Sequence, residues 1–423
     1  DRTFPFLTNI RMKSTNSMID SAGIGDLDSL FFTASEPQRN LEVQILNSSV
    51  EYEQDGLQFY SIYELAEDDP DGYITFSITL IDSAGNSTGQ VIGTDDGSSV
   101  WYDGTVPTMS PVSFHSTNAN NDGVAVLGDT LILDFTSSES LSNISVSIAG
   151  IVSEINLLDG ILSTYQSKRI LDGSEDEGAI PFRIIFSDLV GNDGGAIIST
   201  TDGTSILFDM TPPAQFTLDS SYSSGGNIIP GYWNSCSDSI FLSVSLPLDD
   251  QSLVGGRLQP RVNFGNTDYV DLGDPIEITN IPIDGPITVG IDENTFESIQ
   301  EYSENIDVTF TMSISDRAGN VTIGNSDNRI IHIDEVLPVL TNLSISSNNV
   351  FGNKWATKSD VITISFRSSE GLNSPIFIIS SDSVVQTFSE DGAEWSGIYT
   401  VQEQDSDGLV DYSVTFADSA GNI

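Results

Sequence analysis

The feature of this sequence that most constrains its fold is a short phrase, Asp-x-x-Gly-Asn, that recurs at residues 82–86, 188–192, 316–320 and 418–422. A second phrase, an aspartate four residues before a proline, keeps step with it and begins at Asp1, Asp103, Asp209 and Asp334. Its spacings are 102, 106 and 125 residues. A repeat of this length is a whole domain and not one turn of a solenoid, so the sequence predicts similar domains in a row.

The repeats also predict the number of domains. Length alone suggests about three domains in 423 residues, but the phrases divide the chain into four stretches, which we call repeats 1 to 4: residues 1–103, 104–209, 210–334 and 335–423. The last stretch stops directly after its Gly-Asn. We therefore expect repeat 4 to lack its last strand and the chain to be a segment of a longer protein.

The charge balance limits the possible partners. The chain has 62 acidic and 14 basic residues and a formal net charge of -48, which would repel both nucleic acid and an anionic membrane surface. No apolar run is long enough to predict insertion into a membrane. A single cysteine, Cys236, rules out a disulfide within the chain. So much negative charge predicts that cations are needed, either bound at sites or supplied by a salty medium.

Hydrophobic patterning indicates β-strands throughout. Apolar and polar residues alternate before each Asp-x-x-Gly-Asn, as at 73–78, and a second alternating run ends in Ser-Glu in repeats 1, 2 and 4, at Glu36, Glu139 and Glu370. About seven short strands per 100 residues, with Gly, Asn, Asp and Ser turns between them, are typical of a β-sandwich. The predicted fold class is all-β, and no helix is predicted.

Repeat 3 departs from the pattern. It carries Leu248, Asp249 and Asp250 where the other repeats have Ser-Glu, and it is longer by roughly 20 residues, with an insertion around residues 249–290. We expect this insertion to be a loop or an added hairpin. It is either a tolerated insertion or a surface for a ligand or partner, because binding residues often lie on loops held by a rigid scaffold.

The alternation, the Asp-x-x-Gly-Asn turn and the Asp-x-Thr-x-Pro linker together resemble the tandem immunoglobulin-like repeats of large bacterial surface adhesins and of surface-layer or filament proteins. The resemblance covers essentially the whole chain. It implies four immunoglobulin-like sandwiches arranged as an elongated rod, an extracellular or cell-surface location, and modules that extend or display something else. In that family many such modules bind calcium at their junctions.

On an immunoglobulin-like topology, the end of the Ser-Glu strand, the Asp-x-x-Gly-Asn turn and the entering linker lie at one pole, where the acidic turn of the preceding repeat also arrives. Crowded carboxylates repel one another unless a cation joins them, and Ca²⁺ accepts six to eight hard oxygen ligands. The predicted interdomain Ca²⁺ ligands are Asp69, Asp71, Asp103, Glu139, Glu175, Glu177, Asp188, Asp209, Asp316, Asp334, Glu370 and Asp418. The alternative is that these acids only cap turns by accepting hydrogen bonds from backbone amides.

Catalysis finds little support in the sequence. His115 and His332 are the only histidines and lie in different repeats, and Cys236 has no histidine near it in sequence. The four tryptophans fall at different points of the repeat, which favours packing over sugar binding. The sequence therefore predicts a protein that is not an enzyme.

Two functions follow as hypotheses. The first is a structural or adhesive segment, stiffened by Ca²⁺, whose partners are neighbouring copies of itself or other surface proteins. The second is an accessory region of a secreted enzyme or a lectin, which binds glycans or another partner through the insertion of repeat 3. If repeat 4 truly ends near Ile423, its open sheet edge could also accept a strand from a neighbour.

Overall fold

The computed structural model describes residues 2–158, 163–265, 268–388 and 393–423. Asp1 of the first linker phrase and residues 266–267 of the insertion lie outside the described residues. The chain divides into two compact units, Asp1–Met210 and Thr211–Ile423. Nearly every regular element is a β-strand, which confirms the predicted fold class. The four domain boundaries stay predictions.

Repeat 1 is a two-layer sandwich. One layer has the strand order β1-β3-β7-β6 and the other has β5-β4-β9, which correspond to the ABED and CFG layers of an immunoglobulin-like sandwich. The short strand β10 pairs in parallel with β2. The strands are β1 Leu7–Ser14, β2 Ser21–Ala22, β3 Leu27–Ala34, β4 Gln38–Ile45, β5 Ser48–Ser49, β6 Tyr52–Asp55, β7 Gln58–Glu64, β8 Gly72–Tyr73, β9 Phe76–Asp82 and β10 Trp101–Tyr102.

Repeat 2 has the same layers, with the orders β11-β13-β17-β16 and β15-β14-β19-β20, and the same parallel pairing between β12 and β21. Its strands are β11 Met109–Ser116, β12 Val124–Ala125, β13 Thr130–Ser137, β14 Leu141–Ile148, β15 Ile151–Ser153, β16 Ile155–Leu157, β17 Thr164–Ile170, β18 Gly178–Ala179, β19 Phe182–Asp188, β20 Asp193–Ile197 and β21 Leu207–Phe208.

Repeat 3 keeps this plan with additions. Its layers have the orders β22-β24-β28 and β23-β31-β29-β25-β26. The strands are β22 Ser220–Gly225, β23 Tyr232–Trp233, β24 Ser237–Val244, β25 Arg257–Asn263, β26 Val270–Asp271, β27 Ile276–Glu277, β28 Ile287–Asp292, β29 Asp307–Ser315, β30 Val321–Ile323 and β31 Ile331–Ile333, with a 3-10 helix at Gln251–Leu253 and an α-helix, α1, at Glu293–Glu297.

The expectation that no helix forms was wrong for repeat 3. The Asp292 carboxylate accepts a hydrogen bond of 3.0 Å from the Thr295 amide and caps the start of α1. Phe296 on this helix is fully buried and packs edge-to-face on Trp233 with ring centroids 4.9 Å apart. One buried aromatic residue holds a helix of five residues that is too short to produce a periodic pattern in the sequence.

The insertion of repeat 3 is folded into the sandwich. The range 249–290 contains β25, which pairs along its length with β29, and two short added strands, β26 and β27, which both pair with β25. Leu272 and Ile278 from the added segment are buried in the hydrophobic core. Much of the described part of the insertion therefore extends the sheet and the core.

Repeat 4 has the orders β32-β33-β37-β36 and β35-β34-β38. Its strands are β32 Leu340–Ser347, β33 Val361–Ser368, β34 Ile376–Ile379, β35 Asp382–Ser383, β36 Val385–Phe388, β37 Glu394–Thr400 and β38 Tyr412–Thr415. Among the described residues, each repeat has its own cluster of buried hydrophobic side chains between its layers. No helix in the described part of the chain is long and apolar enough to cross a membrane.

Candidate metal sites at the repeat junctions

Three carboxylates meet where repeat 1 joins repeat 2. Asp103 follows β10, Glu139 lies just beyond the end of β13, and Asp188 is the last residue of β19. One carboxylate oxygen from each residue lies within 4.8 Å of the others. Asp188 is buried and the other two are partly buried. The sandwich topology thus brings together the linker, the Ser-Glu phrase and the Asp-x-x-Gly-Asn turn, as the sequence predicted.

The second unit repeats this arrangement where repeat 3 joins repeat 4. Asp334, Glu370 and Asp418 have carboxylate oxygens within the same 4.8 Å limit, and Asp418 is the buried member. No described lysine, arginine or histidine forms an ion pair with any of these six acids. We call the two clusters the first and second acidic triads.

The Ser-Glu phrase owes its serines to the linker. In the three repeats that have the phrase, the serine hydroxyl accepts a hydrogen bond from the residue after the linker proline: Ser35 from Phe6, Ser138 from Thr108 and Ser369 from Val339, at 3.0, 2.9 and 2.9 Å. This bond fixes the linker against the end of the strand. It leaves the following glutamate side chain available at the junction.

The turn aspartates have a structural role. One oxygen of Asp188 accepts hydrogen bonds from the backbone amides of Val190, Gly191 and Asn192 at 2.7 to 2.9 Å, and the other accepts one of 2.7 Å from the Asn192 side chain. Asp418 accepts the same bonds from Gly421 and Asn422. Turn capping, the alternative weighed from the sequence, is therefore real for both residues. The ligand role of each triad stays a prediction.

The electrostatics of the triads favour a bound cation or proton. Burial, followed by the charges of Asp188 and Asp71, raises the pKa of Asp103 against a weaker opposing hydrogen bond from Thr105. Burial and three neighbouring acids raise the pKa of Glu139. Burial, then Asp418 and Asp334, raises the pKa of Glu370. Each carboxylate is thus less stable in its charged form than it would be in water.

The asparagine of the turn was not singled out from the sequence, yet it connects two repeats. In the first unit, the side-chain oxygen of Asn192 accepts a hydrogen bond of 2.8 Å from the Ile24 amide of repeat 1. Its side-chain nitrogen donates a bond of 2.8 Å to the backbone carbonyl of Asp103 in the linker. Asn16 of repeat 1 adds a bond of 2.7 Å to the Val190 carbonyl.

The second unit has the same contact. The Asn422 side chain accepts from the Ser235 amide of repeat 3 and donates to the Asp334 carbonyl, both at 2.8 Å. Asn234 donates to the Ala420 carbonyl at 2.6 Å. We call this set of bonds, from the loop after the first strand of one repeat to the Asp-x-x-Gly-Asn turn of the next, the interdomain latch. The fixed place of the asparagine in every copy of the phrase was the signal that could have revealed it.

The other predicted ligands divide by their partners. Asp71 accepts bonds of 2.7 Å from the Gly104 amide and the Thr105 hydroxyl, so it reaches the linker beside the first triad. Glu177 likewise accepts a bond of 2.8 Å from the Met210 amide. Asp69 instead bonds Tyr63 and Ala66 of its own repeat.

Glu175 is engaged elsewhere. It is buried in an ion pair with Arg169 within repeat 2, so it is unavailable as a ligand unless that pair breaks. Asp209 and Asp316 belong to different units. In the second unit, Asp316 caps its turn through the amides of Gly319 and Asn320, at 2.7 and 2.9 Å. Asp250, at the place of the missing Ser-Glu, caps the 3-10 helix.

One buried acid was missed. Asp28 on β3 is fully buried, and neither of its carboxylate oxygens has a hydrogen-bond partner among the described residues. Desolvation by burial raises its pKa to about 7. Counted back from the Ser-Glu phrase, the same position holds Leu131 in repeat 2 and Ile362 in repeat 4. An acid at an apolar position of an alternating strand was the sequence signal that could have found it.

Comparison with models of protein families finds no match. Comparison with curated protein sequences finds no match either. Solved structures give distant similarities. A bacterial structure described as a Ca²⁺-stabilized adhesin that helps an Antarctic bacterium reach out and bind ice is 15% identical and matches 99% of each chain with a TM-score of 0.35.

Two further structures are similarly distant. A fragment from a 1.5-MDa bacterial ice-binding adhesin is 13% identical over 79% of this chain and 100% of its own, with a TM-score of 0.37. The I-band fragment I67-I69 from titin is 8% identical over 79% of this chain and 100% of its own, with a TM-score of 0.35. At these values the likeness decides no function for this chain, and the fold assignment rests on the strand orders above.

Proposed function

We propose that this chain is a segment of an extracellular adhesive or surface-coat protein in which Ca²⁺ stiffens tandem immunoglobulin-like repeats. The observation that carries the proposal is the pair of acidic triads, which recur at corresponding junctions in the two units. Three carboxylates within 4.8 Å of one another, with no described basic side chain paired to them, form a strongly negative point that a divalent cation neutralises.

The donor set favours Ca²⁺ over other metals. The triads offer carboxylate oxygens only, which hard cations prefer, whereas Zn²⁺ favours histidine and cysteine. Mg²⁺ keeps most of its own waters and demands near-ideal octahedral geometry. Asp103, Glu139 and Asp188 would hold one ion, and Asp334, Glu370 and Asp418 a second.

A bound ion would add to the interdomain latch. Each triad joins the linker aspartate to two strands of the following repeat, while the latch joins the same turn to the preceding repeat. An ion held by the linker and the turn together would restrict the swing of one repeat about the next. Restricted junctions suit a protein that projects a binding end away from a surface.

The experiment is calcium titration of the whole chain, with calorimetry for affinity and thermal unfolding for stability. We expect Ca²⁺ to raise the melting temperature and Mg²⁺ to raise it much less. At a free concentration of 100 times Kd, one site adds about 2.7 kcal/mol to the free energy of unfolding. Glu139→Gln and Glu370→Gln remove one charge from each triad without changing shape, and the double variant should lose most of the response.

The matched control is Glu51→Gln, which removes the same charge from an exposed residue. Its calcium response should equal that of the unchanged protein. Identical unfolding curves with calcium and with a chelator would sink the metal part of the proposal. The location is tested separately, by antibody labelling of intact source cells, and absence of label on the cell surface would contradict the extracellular assignment.

A further inference from the structure

Repeat 4 carries the donor half of an interdomain latch without a turn seated on it. In repeats 1 and 3 this half is the loop after the first strand, which donates Ile24 and Ser235 amides to the turn of the next repeat. The corresponding loop of repeat 4 is residues 348–359, which follow β32. We call it the free loop.

Internal hydrogen bonds establish the correspondence. Asn349 donates its side-chain amide to Asp360 at 2.5 Å, as Asn16 does to Asp26 at 2.6 Å. The Thr357 amide also donates to Asp360, at 2.7 Å, just as the Gly23 amide donates to Asp26 at 2.8 Å. Counting on from these bonds, Lys358 occupies the place of Ile24.

The backbone of the free loop already has the latch conformation. Ser359 adopts a left-handed φ of 75°, against 81° for Gly25 at the same place. The amides of these two residues donate to the carbonyls of Val401 and Leu65, at 2.9 and 2.8 Å. A serine holds this conformation only against a steric cost, which glycine does not incur.

The free loop is also unusually apolar for an exposed surface. Val350, Phe351 and Trp355 are 88%, 91% and 71% exposed. The loop contains Lys354 and Lys358 as well, two of the four lysines in the whole chain. The corresponding loop of repeat 2, residues 118–127, has Asp122 and no basic residue. The free loop therefore fits a partner that is negatively charged and offers the turn.

The same chain carries the complementary half. In repeat 1 the turn at 82–86 is assembled: Asn86 donates to Asp82 at 2.9 Å and to the Thr3 carbonyl at 3.1 Å. These are the bonds that Asn192 makes to Asp188 and to its own linker. Among the described residues, no amide donates to the Asn86 side-chain oxygen. The turn is acidic, with Asp82 in it and Glu36 from the Ser-Glu phrase as its counterpart of Glu139.

We propose that the free loop of repeat 4 is a docking surface for the 82–86 turn of a second copy of this chain. Copies then associate head to tail, with the Lys358 amide donating to Asn86 of the neighbour and the two lysines facing its acidic turn. Because the two surfaces differ, the contact is heterologous and can extend from copy to copy. This proposal does not depend on bound calcium.

The test is cross-linking of the full chain in a Cys236→Ser background. A Cβ built at Gly23 lies 3.2 Å from a Val190 side-chain carbon, and the corresponding residues are Thr357 in the free loop and Ala84 in the turn. One copy carries Thr357→Cys and an isotope-labelled copy carries Ala84→Cys. The two are mixed at moderate salt, which screens the repulsion between acidic chains, and oxidised gently.

We expect mixed disulfide dimers, recognised by mass, at a yield at least fivefold above that with Ser49→Cys as the partner, an exposed strand residue on repeat 1. Gly23→Cys with Val190→Cys in one chain is the positive control for the geometry, because the latch already holds these positions together. A yield equal to that of the Ser49→Cys control overturns the proposal.

A second variant tests the mode of contact. Asn86→Ala in the Ala84→Cys copy removes the acceptor of the Lys358 amide, and the yield should fall at least threefold while the melting temperature changes little. An unchanged yield would mean that the copies meet through the exposed aromatic residues alone, which overturns the turn-docking proposal. Thermal unfolding of each cysteine variant confirms that it is folded.

Discussion

Repeat 1 holds two aspartates that are equally buried and oppositely treated. Asp82, at the turn, has 0% of its surface exposed, and so does Asp28 on β3. Burial pushes the pKa of Asp82 upward, but hydrogen bonds from Asn86, Ala84 and Gly85 outweigh it, and the net pKa is lowered. Asp28 receives no such bonds, and its pKa rises to about 7.

The comparison teaches that hydrogen bonding and not depth decides what a buried acid costs. A carboxylate that accepts several backbone amides replaces the water it has lost, whereas one without partners must keep its proton. The turn aspartate therefore recurs in all four repeats. The strand aspartate occurs once, where repeats 2 and 4 have leucine and isoleucine.

The largest expected effect is that of Asp28→Leu, which gives repeat 1 the residue of repeat 2. The folded state holds the Asp28 proton up to about pH 7, against an ordinary pKa of 3.8. Stability contributed by this proton is therefore complete below pH 4 and is lost as the pH rises through 7. The variant should gain up to about 4 kcal/mol at pH 8 and much less at pH 4, measured by urea unfolding.

The pH dependence separates charge from packing. Asp28→Asn keeps the shape and removes the titration, so its stability should be flat between pH 4 and 8. A gain in Asp28→Leu that is equal at both pH values would show that only hydrophobic packing had changed. That outcome would break the contrast between the two aspartates.

The next effect in size is that of Asp188→Ala in repeat 2. The substitution leaves three turn amides and the Asn192 side chain without their acceptor, so the free energy of unfolding should fall by about 3 kcal/mol. Urea unfolding without calcium measures the turn and not the triad. Asp176→Ala, at an exposed acid of the same repeat, should change stability by less than about 0.5 kcal/mol.

The smallest effect sharpens the comparison by removing the asparagine that satisfies the turn acid. Asn192→Ala loses the bond to Asp188 and both latch bonds, whereas Asn86→Ala loses only the bonds to Asp82 and Thr3. Calorimetry should show losses of about 2 and 1 kcal/mol respectively. Equal losses would mean that the latch adds nothing to stability.

The sequence alone supported much of the fold and part of the site. Alternation located strands such as β13 and β33, and the fixed order of three phrases placed Asp103, Glu139 and Asp188 at one pole before any coordinates were considered. Such inferences work because the side-chain period of a strand and the strand order of a sandwich leave little freedom.

What the sequence could not supply depends on single tertiary contacts. Glu175 was expected at the junction, but it pairs with Arg169, which is brought beside it by the strand β17. The helix α1 exists because Phe296 fills a gap under Trp233. The latch requires two repeats at a specific angle, which no local pattern encodes.

The parallel pairing of β2 with β10 also has a mechanical meaning. Trp101 and Tyr102, next to the linker that leaves repeat 1, pair with Ser21 and Ala22 near the strand that enters it. A pull on the two ends of the repeat slides these strands past each other, so their hydrogen bonds are loaded together and not one after another. Repeats 2 and 3 have the same pairing. Each of these repeats therefore has a built-in clamp that resists tension at the points where a tether would apply it.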